Sequence, residues 1–214
     1  MIGQIDPEGE YNWMDEIPDF EADRASAIAW ARQILTTDFV ILDTETTGLT
    51  IDDEAVSIAV LSKEGQMLFS SLLCHEKPSD PRALATHGIT WEMTRDAPKF
   101  AEVADQVFGF IGGRDVLGYN VTFDLRILSQ MIVRYNLGDF EAGAFSLMPP
   151  KTAHDVMSLF AQFYGDWSAY HQSYTWKKLT YAAAYLGIET NGAHGAAADC
   201  LMTLRVVRGW RRRR

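Results

Sequence analysis

The segment FVILDTETTGL, residues 39–49, constrains this chain more than any other stretch. Four apolar residues run directly into Asp43 and Glu45, with Gly48 just beyond. Such a run reads as a buried strand. Residues two apart in a strand project from the same face, so the carboxylates of Asp43 and Glu45 point the same way. Like charges held that close raise one another's pKa and destabilise a fold unless something positive lies between them. A hard divalent cation such as Mg²⁺ or Mn²⁺ meets that need. A strand end with two solvated acids meets it as well on this stretch alone. The Asp-Thr-Gly of aspartic proteases is not matched, because the third residue here is Glu45.

With 214 residues, 47% of them hydrophobic and 22% charged, the chain can build a sizeable core and is most simply one domain with a decorated end. No apolar run approaches the roughly 20 residues needed to span a membrane. The acidic start lacks the basic-then-apolar profile of a signal peptide. Cys74 and Cys200 are too few for a disulfide framework, so a reducing cytoplasm is the expected compartment. A net charge of −10 excludes a basic protein that coats nucleic acid through many phosphate contacts. It leaves room for a nuclease that grips a few terminal nucleotides around metal ions. Six arginines fall in the last ten residues, at Arg205, Arg208 and Arg211 to Arg214. They suit either the negative end of a solvated helix or a contact with nucleic acid or an acidic partner.

Residues 1–37 read as an extension that carries a helix over Ala22–Leu35, where Ala27, Ile28, Ala31, Ile34 and Leu35 recur at three- and four-residue steps. Strand-like runs follow at Phe39–Glu45, Ala55–Ser62 and Met67–Cys74, the last two joined by the turn KEGQ. EKPSDPRA reads as a loop, Pro98–Ile111 as a helix stopped by Gly-Gly, and DVLGYN as a short strand. A helix over Val121–Tyr135, a strand and helix in KTAHDVMSLFAQFY, an aromatic loop GDWSAYHQSY, and helices over Thr175–Leu186 and Ala196–Arg211 complete the chain. That order predicts an α/β fold, a mixed sheet covered by helices on both faces. The organisation is an extension over 1–37, a main domain over 38–210 and a basic tail over 211–214.

Two further segments share the character of the first. GYNVTFD sets Asn120, Phe123 and Asp124 at a strand-to-helix junction, and HGAAAD sets His194 five residues before Asp199 near the start of the last helix. Each alone is unremarkable. Together the three segments supply four carboxylates and an imidazole, which is the inventory of two-metal phosphodiester hydrolysis.

DTETTGL, GYNVTFD and HGAAAD resemble the three motifs of the DnaQ-like 3′–5′ exonucleases in their histidine-bearing (DEDDh) branch, closest to the proofreading subgroup typified by the polymerase III epsilon subunit. ALATHGITWEMTRDAPKFAEVADQVFGFIGG resembles the stretch ahead of the second motif, and the resemblance extends over roughly Asp38 to Val207. The sister branch carries Tyr four residues before the last Asp, where this chain has Gly195, while His194 fills the position of the histidine branch. The resemblance implies a ribonuclease H-like fold with a five-stranded sheet, and two divalent cations, Mg²⁺ or Mn²⁺, held by Asp43, Glu45, Asp124 and Asp199. His194 is the implied general base, and an imidazole with an unperturbed pKa of about 6.5 suits that task. Thr46, Thr47, Gly48, Leu49, His87, Asn120 and Phe123 are the implied contacts to the last nucleotides. Leu49 and Phe123 fit ordinary core packing equally well.

The implied activity is removal of nucleoside 5′-monophosphates from the 3′ ends of single-stranded or frayed DNA. No residue separates this from trimming of RNA, where the 2′-OH would be recognised. An inert binding module on the same fold is disfavoured because all five catalytic positions are filled. The implied partner is a nucleic acid 3′ end, with no membrane association, and the extension is a candidate contact for a polymerase or another protein. Tyr119 stands where many relatives have His, and no basic residue follows His194. Asp155 resembles a family carboxylate outside the metal site.

Overall fold

The computed structural model describes residues 17–138, 148–190 and 194–212; most of the expected extension ahead of its helix, and the last two tail arginines, lie outside them. Seven strands and eight helices are described: α1 Phe20–Ile34, β1 Phe39–Thr46, β2 Ala55–Ser62, β3 Met67–Leu72, α2 Pro81–His87, α3 Trp91–Thr94, α4 Phe100–Ile111, β4 Asp115–Gly118, α5 Val121–Arg134, β5 Thr152–Asp155, α6 Val156–Tyr164, β6 Trp167–Ser168, β7 Ser173–Tyr174, α7 Leu179–Tyr185 and α8 Ala196–Trp210.

The main sheet has five strands in the order β3-β2-β1-β4-β5. β2 runs antiparallel to β1 and β3, whereas β4 runs parallel to β1 and β5 parallel to β4. The expected mixed sheet with helices on both faces is present, and the strand alternation builds it. Phe39 and Ile41 point into a core shared with α1, α6, α7 and α8, while Val40 and Leu42 point into a second core with α4 and α5. β1 is thus central and buried from both sides, and only its C-terminal end is free to carry chemistry. Between Glu45 and Thr46 its pairing with β2 shifts by a β-bulge, which ends the regular ladder at the site and re-aims the loop beyond it.

The helix of the extension belongs to the main core. Asp19 caps α1 by accepting from the Ala22 amide at 3.0 Å, and Ala27, Ile28, Ala31 and Ile34 are buried with residues of α6 and α8. Trp210 closes this face, fully buried, with ring centroids 5.7 Å from both Phe160 and Phe163 and 6.1 Å from Trp30. Part of the arginine tail does local work: Arg208 donates to the Lys63 carbonyl at 2.6 Å, and the Arg211 carbonyl accepts from Arg32 at 3.2 Å.

Two segments differ from expectation. The loop read in EKPSDPRA contains the start of α2, whose cap is Asp80 with Pro81 in the first turn. Asp followed by Pro is a helix-start signal, here masked by two prolines close together. The aromatic loop folds as the β6–β7 hairpin, with Trp167 paired to Tyr174. Boundaries elsewhere move by a few residues: α4 begins at Phe100 rather than Pro98, and α7 spans Leu179–Tyr185 rather than Thr175–Leu186.

Because Trp210 ties α1 and α6 to the last helix, Trp210→Ala is expected to cost about 3–5 kcal/mol of stability. Guanidinium unfolding monitored by circular dichroism measures it; a loss below about 1 kcal/mol would show that this face is not a packed core.

Candidate active site

Three structural devices bring the expected carboxylates to one place. β1 presents Asp43 and Glu45 from one face, and the first turn of α8 presents Asp199 toward them. Carboxylate oxygens of these three residues lie within 4.8 Å of one another, close enough for a single cation to touch all three. Asp124, in the first turn of α5, arrives from the other face and is 3% exposed. Its Oδ1 accepts from the Thr44 amide at 2.9 Å and the Thr44 hydroxyl at 2.6 Å. Thr44 lies between Asp43 and Glu45 in sequence, so the strand that carries two of the acids also fixes the third. The sequence reading missed Thr44; the strand alternation, which turns it to the opposite face, was the available signal.

The electrostatic consequence is severe. Burial, then Asp124, Asp199 and Glu45, push the Asp43 carboxyl well above the usual carboxylate range. Burial followed by Asp199 raises Glu45 to about 7. Burial also raises Asp124 to about 7, against the two Thr44 hydrogen bonds that favour its ionised form. Burial raises Asp199 too, with the His194 amide opposing. Beneath the cluster, Cys200 is buried and its thiol is pushed up by burial and by the acids above it. A site that buries four acids together fits a bound divalent cation, whose charge would favour the ionised form of all of them.

His194 is exposed and lies at the edge of this cluster. It adopts a left-handed backbone conformation, φ 74°, and its amide donates to Asp199 Oδ1 at 3.3 Å. Asn120, at φ 74°, precedes α5; its amide donates to Asp155 Oδ1 at 3.0 Å. Asp155 caps α6 through the Met157 amide and also accepts from the Ser158 hydroxyl. It is a structural anchor, consistent with its placement outside the metal site. Tyr119 donates its hydroxyl to the Lys177 carbonyl at 2.7 Å.

The loop after β1 is fastened from several directions. The Thr46 hydroxyl donates to the Gly48 carbonyl and the Thr47 hydroxyl to Asp53 Oδ1, so both side chains are buried and committed internally. A Cβ on Gly48 would stand 2.7 Å from Asp53 Oδ2. The glycine is therefore required by Asp53, in addition to any approach by a ligand. Asp53 also accepts from the Thr50 amide and hydroxyl and from Lys77. Burial alone would raise its carboxyl, but these bonds outweigh burial and hold it far below the usual range. Glu54, fully buried, pairs with Arg134 at 2.9 Å and accepts from the Tyr135 hydroxyl at 2.7 Å. Arg126 donates to the Leu49 and Thr50 carbonyls. Leu49 is left 79% exposed at the tip, which removes core packing as its role. Phe123, in contrast, is half-buried against the second core, with Arg126 over its ring at 4.9 Å.

His87 reaches the loop from the end of α2. Its Nδ1 accepts from the Ile89 amide, so Nε2 carries the proton and donates to the Thr46 carbonyl at 3.2 Å. Burial lowers its pKa, in keeping with this neutral tautomer. Both ring nitrogens are spent inside the protein, so any contact with a bound nucleotide is left to the ring carbons. Asp53, Glu54, Arg126 and Arg134 were not singled out in the sequence. Three acids, Asp52 to Glu54, directly before the buried strand β2 were the trace that Asp53 and Glu54 left.

Folding raises the site carboxyls, so the metal-free fold binds protons more tightly than the unfolded chain. Stability is then fully present below the unfolded carboxylate range, about pH 4, and is lost as pH rises through about 7. In EDTA, the melting temperature is expected to be higher at pH 5.5 than at pH 8, and Asp43→Asn is expected to raise it at pH 8. Mn²⁺ should restore the wild-type value at pH 8. Equal wild-type melting temperatures at both pH values, with no response to Mn²⁺ or to the substitution, would contradict the buried acid cluster.

Comparison with known proteins accords with this geometry. A family model described as an exonuclease (RNase T) matches residues 40–207. An uncharacterized exonuclease, CP81 of Escherichia phage 186, is 34% identical over 178 residues, covering 83% of this chain and 90% of its own. The DNA polymerase III epsilon subunit of Pasteurella multocida is 34% identical over 109 residues, 46% of this chain and 43% of that subunit, so the match spans less than half of the polymerase protein. Among solved structures, exonuclease I of E. coli in complex with single-stranded DNA superposes with a TM-score of 0.66 at 21% identity over 84% of this chain and 41% of that one. Exonuclease X in complex with 5′-overhanging duplex DNA gives 0.55 at 21% identity, covering 79% of this chain and 88% of its own. These two share the fold, a ribonuclease H-like sheet. On the family match and the phage relative, the chain belongs to the DnaQ-like 3′–5′ exonucleases.

Proposed function

We propose that this exonuclease removes nucleoside 5′-monophosphates one at a time from the 3′ end of single-stranded or frayed DNA, with two divalent cations, Mg²⁺ or Mn²⁺, held by Asp43, Glu45, Asp124 and Asp199. The observation that carries the reading is the convergence of Asp43, Glu45 and Asp199 to within 4.8 Å beside the buried Asp124. The cations, when bound, supply an attacking water of lowered pKa and neutralise charge at the reacting phosphate. The chain's own residues do the rest. His194, exposed at the cluster's edge, takes the proton from the attacking water. The water oxygen forms a bond to phosphorus, the bond to the 3′ oxygen of the preceding nucleotide breaks, and that oxygen takes a proton from solvent to become the new 3′ hydroxyl. Thr44 keeps one Asp124 oxygen engaged and so sets the direction of the other.

The loop from Thr46 to Leu49 is the floor for the terminal nucleotide. Its rigidity comes from Asp53 and from Arg126, and it lifts Leu49 into solvent where an apolar side chain can meet the face of a base. Asn120 and Phe123 flank the same opening from the start of α5, and His87 supports the loop from below. DNA is favoured as substrate by the relatives: a polymerase III subunit in sequence and an exonuclease bound to single-stranded DNA in fold. A replication partner is proposed on the same ground. The described residues include no helix long and apolar enough to cross a membrane.

With a 5′-labelled single-stranded oligonucleotide and Mn²⁺ or Mg²⁺, a ladder shortening from the 3′ end is expected, stronger for DNA than for RNA and absent in EDTA. His194→Ala should lower the rate by about 10²–10⁴-fold, the usual worth of a positioned base. Asp124→Asn should abolish turnover while the circular dichroism spectrum is unchanged. Wild-type turnover in either variant would overturn the residue assignment, and preferential cleavage of RNA would overturn the substrate.

A further inference from the structure

The aromatic segment between β7 and α7 has no part in the chemistry above, yet it is tied to the residue that follows central strand β4. Tyr119 follows β4, whose neighbour across the parallel ladder is β1, with Ile41 opposite Leu117. From there the Tyr119 hydroxyl donates to the Lys177 carbonyl at 2.7 Å, which ties the segment to the residue between β4 and Asn120. The surface so fixed is an open cleft of about 570 Å³ lined by Trp176, Lys177, Lys178, Thr180 and Tyr181. Trp176 is 67% exposed and Tyr181 44%, so both rings present surface to solvent within the one cleft.

The cations of the cleft have distinct states. Lys177 is held in place by an ion pair with Asp166 and lies over the rings of Tyr164 and Tyr181, 5.1 and 5.7 Å from their centroids. Lys178 is exposed, and no ion pair to it is present among the described residues. The exposed Trp176 indole, with the Tyr181 ring held beside it by a 2.6 Å hydroxyl contact with Tyr164, forms with the uncommitted Lys178 ammonium a stacking platform and a phosphate contact, the combination that binds single-stranded nucleic acid without regard to sequence. Two adjacent lysines also stand out on a chain of net charge −10, where a polyanion would otherwise be repelled.

We infer that the Trp176–Lys178–Tyr181 cleft holds the single strand on the 5′ side of the nucleotide being removed, with bases stacked on the rings and a phosphate on Lys178. The inference rests on the hydrolytic reading for its direction only: a strand whose 3′ end enters the carboxylates must leave across an adjoining surface. The cleft determines grip on long strands and contributes nothing to cleavage of a substrate too short to reach it.

The test compares the full-length protein with Trp176→Ala/Lys178→Ala and with Trp176→Phe. Affinity for a fluorescein-labelled oligothymidylate is read by anisotropy in EDTA over a series of salt concentrations, and turnover of a thymidine dinucleotide is read in Mn²⁺. The double variant is expected to bind the oligomer about tenfold or more weakly, with dinucleotide turnover unchanged and Trp176→Phe retaining most of the affinity. Its slope of log affinity against log salt should fall by about 0.7, one phosphate contact on a single strand. Unchanged affinity and slope would overturn the inference and leave the cleft as a surface for a protein. Equal losses on oligomer and dinucleotide would overturn it too, by showing damage to the reaction centre. A wild-type chain that cleaves neither substrate would sink the hydrolytic reading alone, since the affinity comparison in EDTA still decides the cleft.

Discussion

Mutual repulsion among Asp43, Glu45, Asp124 and Asp199 is the constraint around which the rest of the molecule is arranged. Four acids gathered and buried at one strand end cost stability: burial raises the pKa of each, and neighbouring carboxylates add to the rise at Asp43, Glu45 and Asp124. Only a scaffold with stability to spare holds them there. That stability comes from a central strand buried on both faces, between one core closed by Trp210 and another built on α4 and α5. The stored repulsion is what a divalent cation relieves, so affinity for metal and weakness without it are two aspects of one arrangement.

Positioning is achieved by backbone-centred hydrogen bonds rather than by bulk. Thr44 holds Asp124 from the strand between the other acids, and Asp53 gathers four donors from Thr47, Thr50 and Lys77 to stiffen the loop after β1. Buried charges of this kind add little to net stability against apolar substitutes. Their value here is geometric: Glu54 with Arg134 and Tyr135, and Arg126 with the Leu49 and Thr50 carbonyls, fix a loop that would otherwise be free.

Legibility in the sequence tracked the range of the interactions. The strand holding Asp43 and Glu45, the junction before Asp124 and the helix start near Asp199 are local patterns, so alternation and motif spacing suffice to locate them. The five-stranded mixed sheet is consistent with the element order. α2 escaped because Pro81 passes for a loop residue when it opens a helix behind the Asp80 cap. The Asp53 and Glu54 networks were harder to read for another reason: Lys77, Arg134 and Tyr135 lie 24 to 81 residues from the acids they hold, and the acid run in DDEAV does not say which of them it will meet. Leu49 was undecidable because exposure alone separates a core leucine from one aimed at a ligand, and exposure is a property of the fold.

Direct titration of the purified protein with Mn²⁺ by calorimetry, at pH 8 and after treatment with EDTA, tests the central claim most closely. The account predicts saturable binding of two ions per chain, accompanied by proton release from the raised carboxyls, and loss of that binding in Asp43→Asn. Absence of binding, or binding that survives Asp43→Asn with the same stoichiometry and the same proton release, would contradict it.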